Sequence, residues 1–66
     1  MTQAQTVLKH LKSGRTLSAM EAVQKYGILR LAGRVKELRD VGYNIISVPV
    51  NDKKTGRHYV KYKLEN

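Results

Sequence analysis

Arg30, Arg34, Lys36 and Arg39 stand within ten consecutive residues, with Glu37 among them. Guanidinium and ammonium groups only donate hydrogen bonds, so this set suits acceptors: phosphate oxygens, or O6 and N7 on the edge of a guanine. Glu37 can in turn accept from the N4 amino group of a cytosine. Gly33 lies in the same run and leaves it one side chain short. A second basic set closes the chain: Lys53, Lys54, Arg57, Lys61 and Lys63, with Tyr59 between them. These cations suit a phosphate backbone or a minor groove, and Tyr59 offers a ring for base stacking. Other chemistries lack their parts. His10 and His58 have no carboxylate or second His at ligand spacing, so no metal site is expected. Ser13 and Ser18 read as helix-end residues and form no Ser/His/Asp set, so neither an enzyme, a cofactor nor a small-molecule substrate is expected. Cysteine is absent, which excludes disulfides, zinc fingers and thiol catalysis.

Charge gives the sign of the partner. Thirteen Lys and Arg against five Asp and Glu leave a net charge of +8 on 66 residues, and the isoelectric point is near 10.1. A domain with a pI above about 9 has the electrostatic footprint of a nucleic-acid binder. A chain of this length makes one small domain, 1–66, which buries only about 60% of the surface it exposes when unfolded. Hydrophobic packing must therefore carry a marginal stability. The polar TQAQ after Met1 lacks the regions of a secretory signal, and no stretch approaches the roughly 18 apolar residues of a membrane span. A cytoplasmic protein is expected, with no membrane partner.

The central basic set must be positioned by a helix. Ile28, Leu31, Val35 and Leu38 recur at steps of three and four, which predicts an α-helix over 28–42 with one apolar stripe facing a core. Leu29, Arg30, Gly33, Lys36, Glu37 and Asp40 fall on the opposite side, and Arg34 and Arg39 on the flanks. Arg30, near the start, is the first candidate for base readout, followed by Gly33, Arg34, Lys36 and Glu37. The alternative role of Arg30 is a salt bridge to Glu21, to Glu37 or to the end of the second helix. Arg34 and Arg39, on the flanks, suit a phosphate contact or an ion pair with Asp40 as well as they suit a base contact. Gly33 on an exposed helical face costs about 1 kcal/mol relative to Ala, which close approach by another backbone would explain.

Two shorter helices precede this one. Thr2 and Gln5 have the spacing of a capping box, Ala4, Val7, Leu8 and Leu11 make an apolar face, and Ser13-Gly14 ends the helix. Leu17 belongs to a short connecting strand and points inward. Ser18 and Glu21 predict a second capping box and a helix to about Tyr26, with Ala22, Val23 and Tyr26 inward. Gly27 then leaves so short a connection that a helix-turn-helix is the expected motif. After Gly42 the apolar period becomes 2: a strand over 43–50, a polar turn at 51–56 and a return strand over 58–64. Val60, Tyr62 and Leu64 share one face of the return strand; Tyr59, Lys61 and Lys63 share the other. Pro49 cannot donate to a ladder, which places its strand at a sheet edge or Pro49 itself beside the turn. The order α1-β1-α2-α3-β2-β3, with the last strand in the middle of the sheet, is an α+β winged helix-turn-helix: three helices, a small antiparallel sheet and a C-terminal β-hairpin wing.

The run TLSAMEAVQKYGILRLAGRVKELRDVGYNI, followed by GRHYVKYKL, resembles the small helix-turn-helix proteins of bacteriophages and prophages. The similarity covers nearly the whole chain and is most specific at Glu21, Ala22, Tyr26, Gly27, Arg30, Leu31, Ala32, Arg34, Leu38, Arg39, Gly42 and Ile45. Gly33 departs from the family pattern, where a helix-favouring residue is expected. The resemblance implies a winged-helix DNA-binding fold in a bacterial host, cytoplasmic and on the nucleoid when bound. The residues then predict a transcriptional regulator or architectural factor for double-stranded DNA. Helix 28–42 would enter the major groove, and the hairpin tip at 51–58 would lie on the backbone or minor groove, with Lys53, Lys54, Arg57, Lys61, Arg39 and Tyr59 as contacts. A homodimer or cooperative oligomer on DNA is compatible with the small footprint, with an exposed Ile45 or the first helix as its surface. Two other classes fit the same residues: a module binding an acidic host or phage protein through Leu29 and its basic neighbours, and an RNA or single-strand binder using Tyr59 and the hairpin.

Overall fold

The computed structural model describes residues 2–65; Met1 and Asn66, the ends of the expected 1–66 domain, lie outside them. The elements run α1 (Gln3–Lys12), β1 (Leu17–Ser18), α2 (Ala19–Tyr26), α3 (Leu31–Asp40), β2 (Ile45–Asp52) and β3 (Arg57–Leu64). The order along the chain is the expected one. The strands form one antiparallel sheet in the order β1-β3-β2. β2 is therefore an edge strand with one free side, and there Pro49, opposite Val60, is tolerated.

Capping chemistry starts the first two helices. The Thr2 hydroxyl accepts from the Gln5 N–H at 3.1 Å and the Gln5 side chain accepts from the Thr2 N–H at 3.0 Å, a complete box. At α2 only half of the expected box forms. Ser18 Oγ accepts from the Glu21 N–H at 3.2 Å, but the Glu21 carboxylate takes the Ser18 hydroxyl, at 3.3 Å. Ser18 is also a strand residue, in register with Lys61, so its backbone lies in the sheet.

The third helix is shorter than the 28–42 read from periodicity. Gly27, at φ +66°, turns the chain out of α2, and residues 27–30 are not helical. Ile28 is nevertheless buried, with its N–H on the carbonyl of Ala22 at 3.1 Å. A corner residue three positions before Leu31 satisfies the helical period without being in the helix. At the other end, Gly42 (φ +108°) donates to Arg39 and Tyr43 to Leu38, closing the helix through its backbone. Tyr43 and Asn44 thus belong to the helix exit rather than to the strand. The hairpin ladder, conversely, runs on through Asn51–His58 and Asp52–Arg57, because pairing uses the backbone and tolerates polar side chains. The turn is reduced to residues 53–56.

The core comprises Val7, Leu11, Leu17, Ala22, Ile28, Leu31, Val35, Leu38 and Ile45, with Ala4, Leu8, Tyr43, Tyr62 and Leu64 packed around it. Three expectations are corrected. Ile45 is buried at the start of β2 and offers no dimer surface. Val23 and Tyr26 are each 40% exposed, because α2 spans eight residues and inserts only Ala22. Tyr26 instead gives its hydroxyl to His10. That histidine, 7% exposed, has Nε2 2.9 Å from the carbonyl oxygen of Thr16 and Nδ1 2.7 Å from the Tyr26 hydroxyl. A carbonyl only accepts, so Nε2 carries the proton toward Thr16, and in the neutral ring Nδ1 accepts from Tyr26. His10 thereby ties α1, α2 and the loop before β1 together.

Candidate nucleic-acid interface

Helix α3 differs from its predecessors at its first turn. Its N-cap is Arg30, at φ −120° and ψ 64°, which makes no side-chain cap, and no acidic residue occupies the first turn. The N–H groups there have no side-chain acceptor among the described residues, and they carry the positive end of the helix dipole. Such an end favours an anion. Arg30 itself is exposed and forms no ion pair among the described residues: Glu21 stands 4.0 Å from Lys25, and Glu37 is taken by Arg34. The salt bridges considered for Arg30 are absent, and its five donors remain open to an outside acceptor.

Gly33 lies beside Arg30. A Cβ built at Gly33 would meet only the Cβ of Arg30, at 3.9 Å, an ordinary contact. Nothing inside the folded chain requires glycine there. Lys36 is exposed on the same outer side of α3. Arg34 and Glu37, by contrast, hold each other: Nη1 donates to Oε1 at 2.9 Å and to Oε2 at 3.2 Å. Arg34 pairs with Glu37 and not with Asp40 because three residues make nearly one helical turn, whereas six place the side chains too far apart along the axis. The Nε of Arg34 is enclosed without a partner among the described residues.

Arg39 is turned to the sheet. Its Nε donates to the carbonyl of Ile45 at 2.8 Å, Nη2 donates to Ser47 Oγ at 3.3 Å, and the guanidinium lies 5.9 Å from the ring centroid of Tyr62. It fastens the end of α3 to β2. Lys53 and Lys54 project from the hairpin turn, which Asp52 stabilises by accepting from the Lys54 N–H at 3.0 Å and, through its carbonyl, from the Gly56 N–H at 2.8 Å. Arg57 opposes Asp52, Tyr59 opposes Val50 and Lys61 opposes Val48, so alternation puts these three on one face of the sheet. They line, with Met20, a groove of about 520 Å³ between the start of α2 and the wing. No group of residues suited to a metal ion occurs among the described residues, and no helix is long and apolar enough to cross a membrane.

The structure thus divides the candidates. Arg30, Gly33 and Lys36 lie along one outer surface of α3, Lys53, Lys54 and Arg57 gather at the wing tip, and Arg34, Glu37 and Arg39 are already engaged within the fold. Two residues gain a place that their types alone do not suggest. His10 serves as a structural tie, and Leu29 stands directly before Arg30 in the non-helical turn. The signal for Leu29 is a large apolar residue on the side opposite the core stripe.

Three helices with a hairpin behind them, the third helix and the hairpin tip both basic and exposed, define a class of small α+β modules. The family match places the chain within that class: residues 2–66 match the winged helix-turn-helix domain, and the protein belongs to that family. No curated protein and no solved structure matches the chain. Membership of the family points to DNA binding and to a module that is not typically an enzyme.

Proposed function

We propose that the protein is a sequence-specific binder of double-stranded DNA, acting as a transcriptional regulator or architectural factor of a phage or prophage in the bacterial cytoplasm. The observation that carries this reading is Arg30: unpaired, exposed and seated at the uncapped N-terminus of α3. Helix-turn-helix proteins touch bases with the N-terminal residues of the recognition helix. Arg30 reads a guanine through O6 and N7, and the free N–H groups of the first turn take an adjacent phosphate. Gly33 lets a DNA backbone or base edge come close, and Lys36 adds a further donor. Lys53, Lys54 and Arg57 hold the neighbouring backbone from the wing. Arg34 joins them when an incoming phosphate or base competes with Glu37. The resemblance of the middle segment to phage helix-turn-helix proteins supports the phage setting.

Selection of bound fragments from a random duplex library at near-physiological salt, with Arg30→Ala in parallel, tests the reading. The wild-type chain is expected to recover one motif. The variant is expected to lose about 1–3 kcal/mol on that motif and to relax its preference at one position. Equal losses on specific and random duplexes would overturn the base-reading role. Recovery of no motif would overturn sequence-specific binding altogether and favour a protein partner.

A further inference from the structure

Leu29 is 82% exposed, more than any other large apolar side chain among the described residues. It is not loosely held. Gly27 is tied to Val23 at 3.0 Å and Ile28 to Ala22 at 3.1 Å, while the Ile28 and Leu31 side chains are sunk in the core. Two residues, Leu29 and Arg30, bridge these anchors, so the turn displays both outward from a fixed base. An aliphatic side chain in that position adds nothing to the core and has no donor or acceptor for a phosphate. Its chemistry fits an apolar feature on the surface that Arg30 faces.

We propose that Leu29 packs against the C5-methyl group of a thymine in the major groove, on the base pair next to the guanine read by Arg30. The inference rests on the DNA-binding reading and adds a second specificity-determining residue to it. Thymine is the one base that presents an apolar group in that groove, and aliphatic contact is the way proteins read it. The spacing agrees. Consecutive Cα atoms are about 3.8 Å apart and successive bases of one strand rise about 3.4 Å, so the step from Arg30 to Leu29 is commensurate with the step to an adjacent base pair. The selected motif is therefore expected to contain a T·A pair directly beside its G·C pair.

The test uses the full chain and the selected duplex, with each thymine of the motif replaced in turn by uracil. That exchange removes the methyl group and leaves the hydrogen-bonding edge intact. For the wild type, one such replacement, beside the guanine, is expected to weaken binding about fourfold, the worth of one buried methyl group. Leu29→Ala is expected to bind the thymine and uracil duplexes equally, while its circular dichroism and its fold-change on guanine substitution match the wild type. Equal binding of all thymine and uracil duplexes by the wild type would overturn the proposal with the DNA reading left standing. So would a thymine preference that persists in Leu29→Ala. Leu29→Ala binding every duplex as tightly as the wild type would likewise overturn it and turn the residue toward a protein partner. A selection that returns no motif would instead bring down both readings together.

Discussion

The helical body and the wing are held by different forces. Among the described residues, all nine buried apolar side chains lie in α1, β1, α2, α3, the corner at Ile28 or the first residue of β2, whereas no residue between Pro49 and Val60 is buried. The outer half of the hairpin stands on backbone pairing and a four-residue turn. Volume therefore constrains the body, because a close-packed interior registers the loss of even a methylene group. The outer wing is constrained by strand register and by local turn bonds such as that from the Lys54 N–H to Asp52. Lys53, Lys54, Arg57 and Lys61 form no ion pair among the described residues, so these cations are best understood through what they meet outside.

That contrast can be broken most directly at Leu17, which is fully buried and in register with Tyr62. Leu17→Ala is expected to cost about 2–5 kcal/mol, a large share of the stability of so small a domain, and urea unfolding followed by circular dichroism will show it. A shift in the midpoint equivalent to less than about 1 kcal/mol would mean that the body is not packed as described. Gly33 tests whether the outer surface of α3 belongs with the body or with the wing. Gly33→Ala is expected to stabilise the protein by about 1 kcal/mol, since the new Cβ meets only Arg30, and to weaken duplex binding. A stabilised variant that binds as well as the wild type would deny the close approach. The smallest effect on stability belongs to the hairpin tip. Lys53→Ala combined with Lys54→Ala is expected to leave unfolding within about 0.5 kcal/mol. In the same variant the slope of log affinity against log salt is expected to fall by about 0.9 for each phosphate that is no longer neutralised. A pronounced destabilisation would erase the distinction between the two regions.

The elements were legible wherever local chemistry decides them. Thr2 with Gln5, Gly27 and Gly42 each mark a boundary through bonds made within a few residues, whereas the strand expected over 43–50 runs instead over Ile45–Asp52. Pro49 agrees with the edge position that the element order gives β2. The start of α3 was not legible, because Ile28 keeps the helical period while occupying a turn; only tertiary burial separates those two states. Tyr26 and Val23 were misplaced for a related reason, as a two-turn helix has room to insert one small residue, Ala22. His10 escaped because its partners, the Thr16 carbonyl and the Tyr26 hydroxyl, lie six and sixteen residues away. Within the candidate site the charges were readable but their pairing was not. Arg34 and Arg30 look alike in sequence, and geometry alone gives Glu37 to one and leaves the other unpaired.

Ser18 belongs to both regions at once. It caps α2 through its hydroxyl and, in β1, lines up with Lys61 of the wing. The helix-turn-helix and the hairpin are thus joined through one residue, and Arg39 joins them again from the far end of α3. Twisting the wing away from the body would have to strain both connections. On the proposed reading the molecule works as a caliper: the gap between the reading helix and the wing tip is a preset length. Such a caliper selects duplexes whose groove width already matches it, and so responds to the shape of sequence that neither jaw touches.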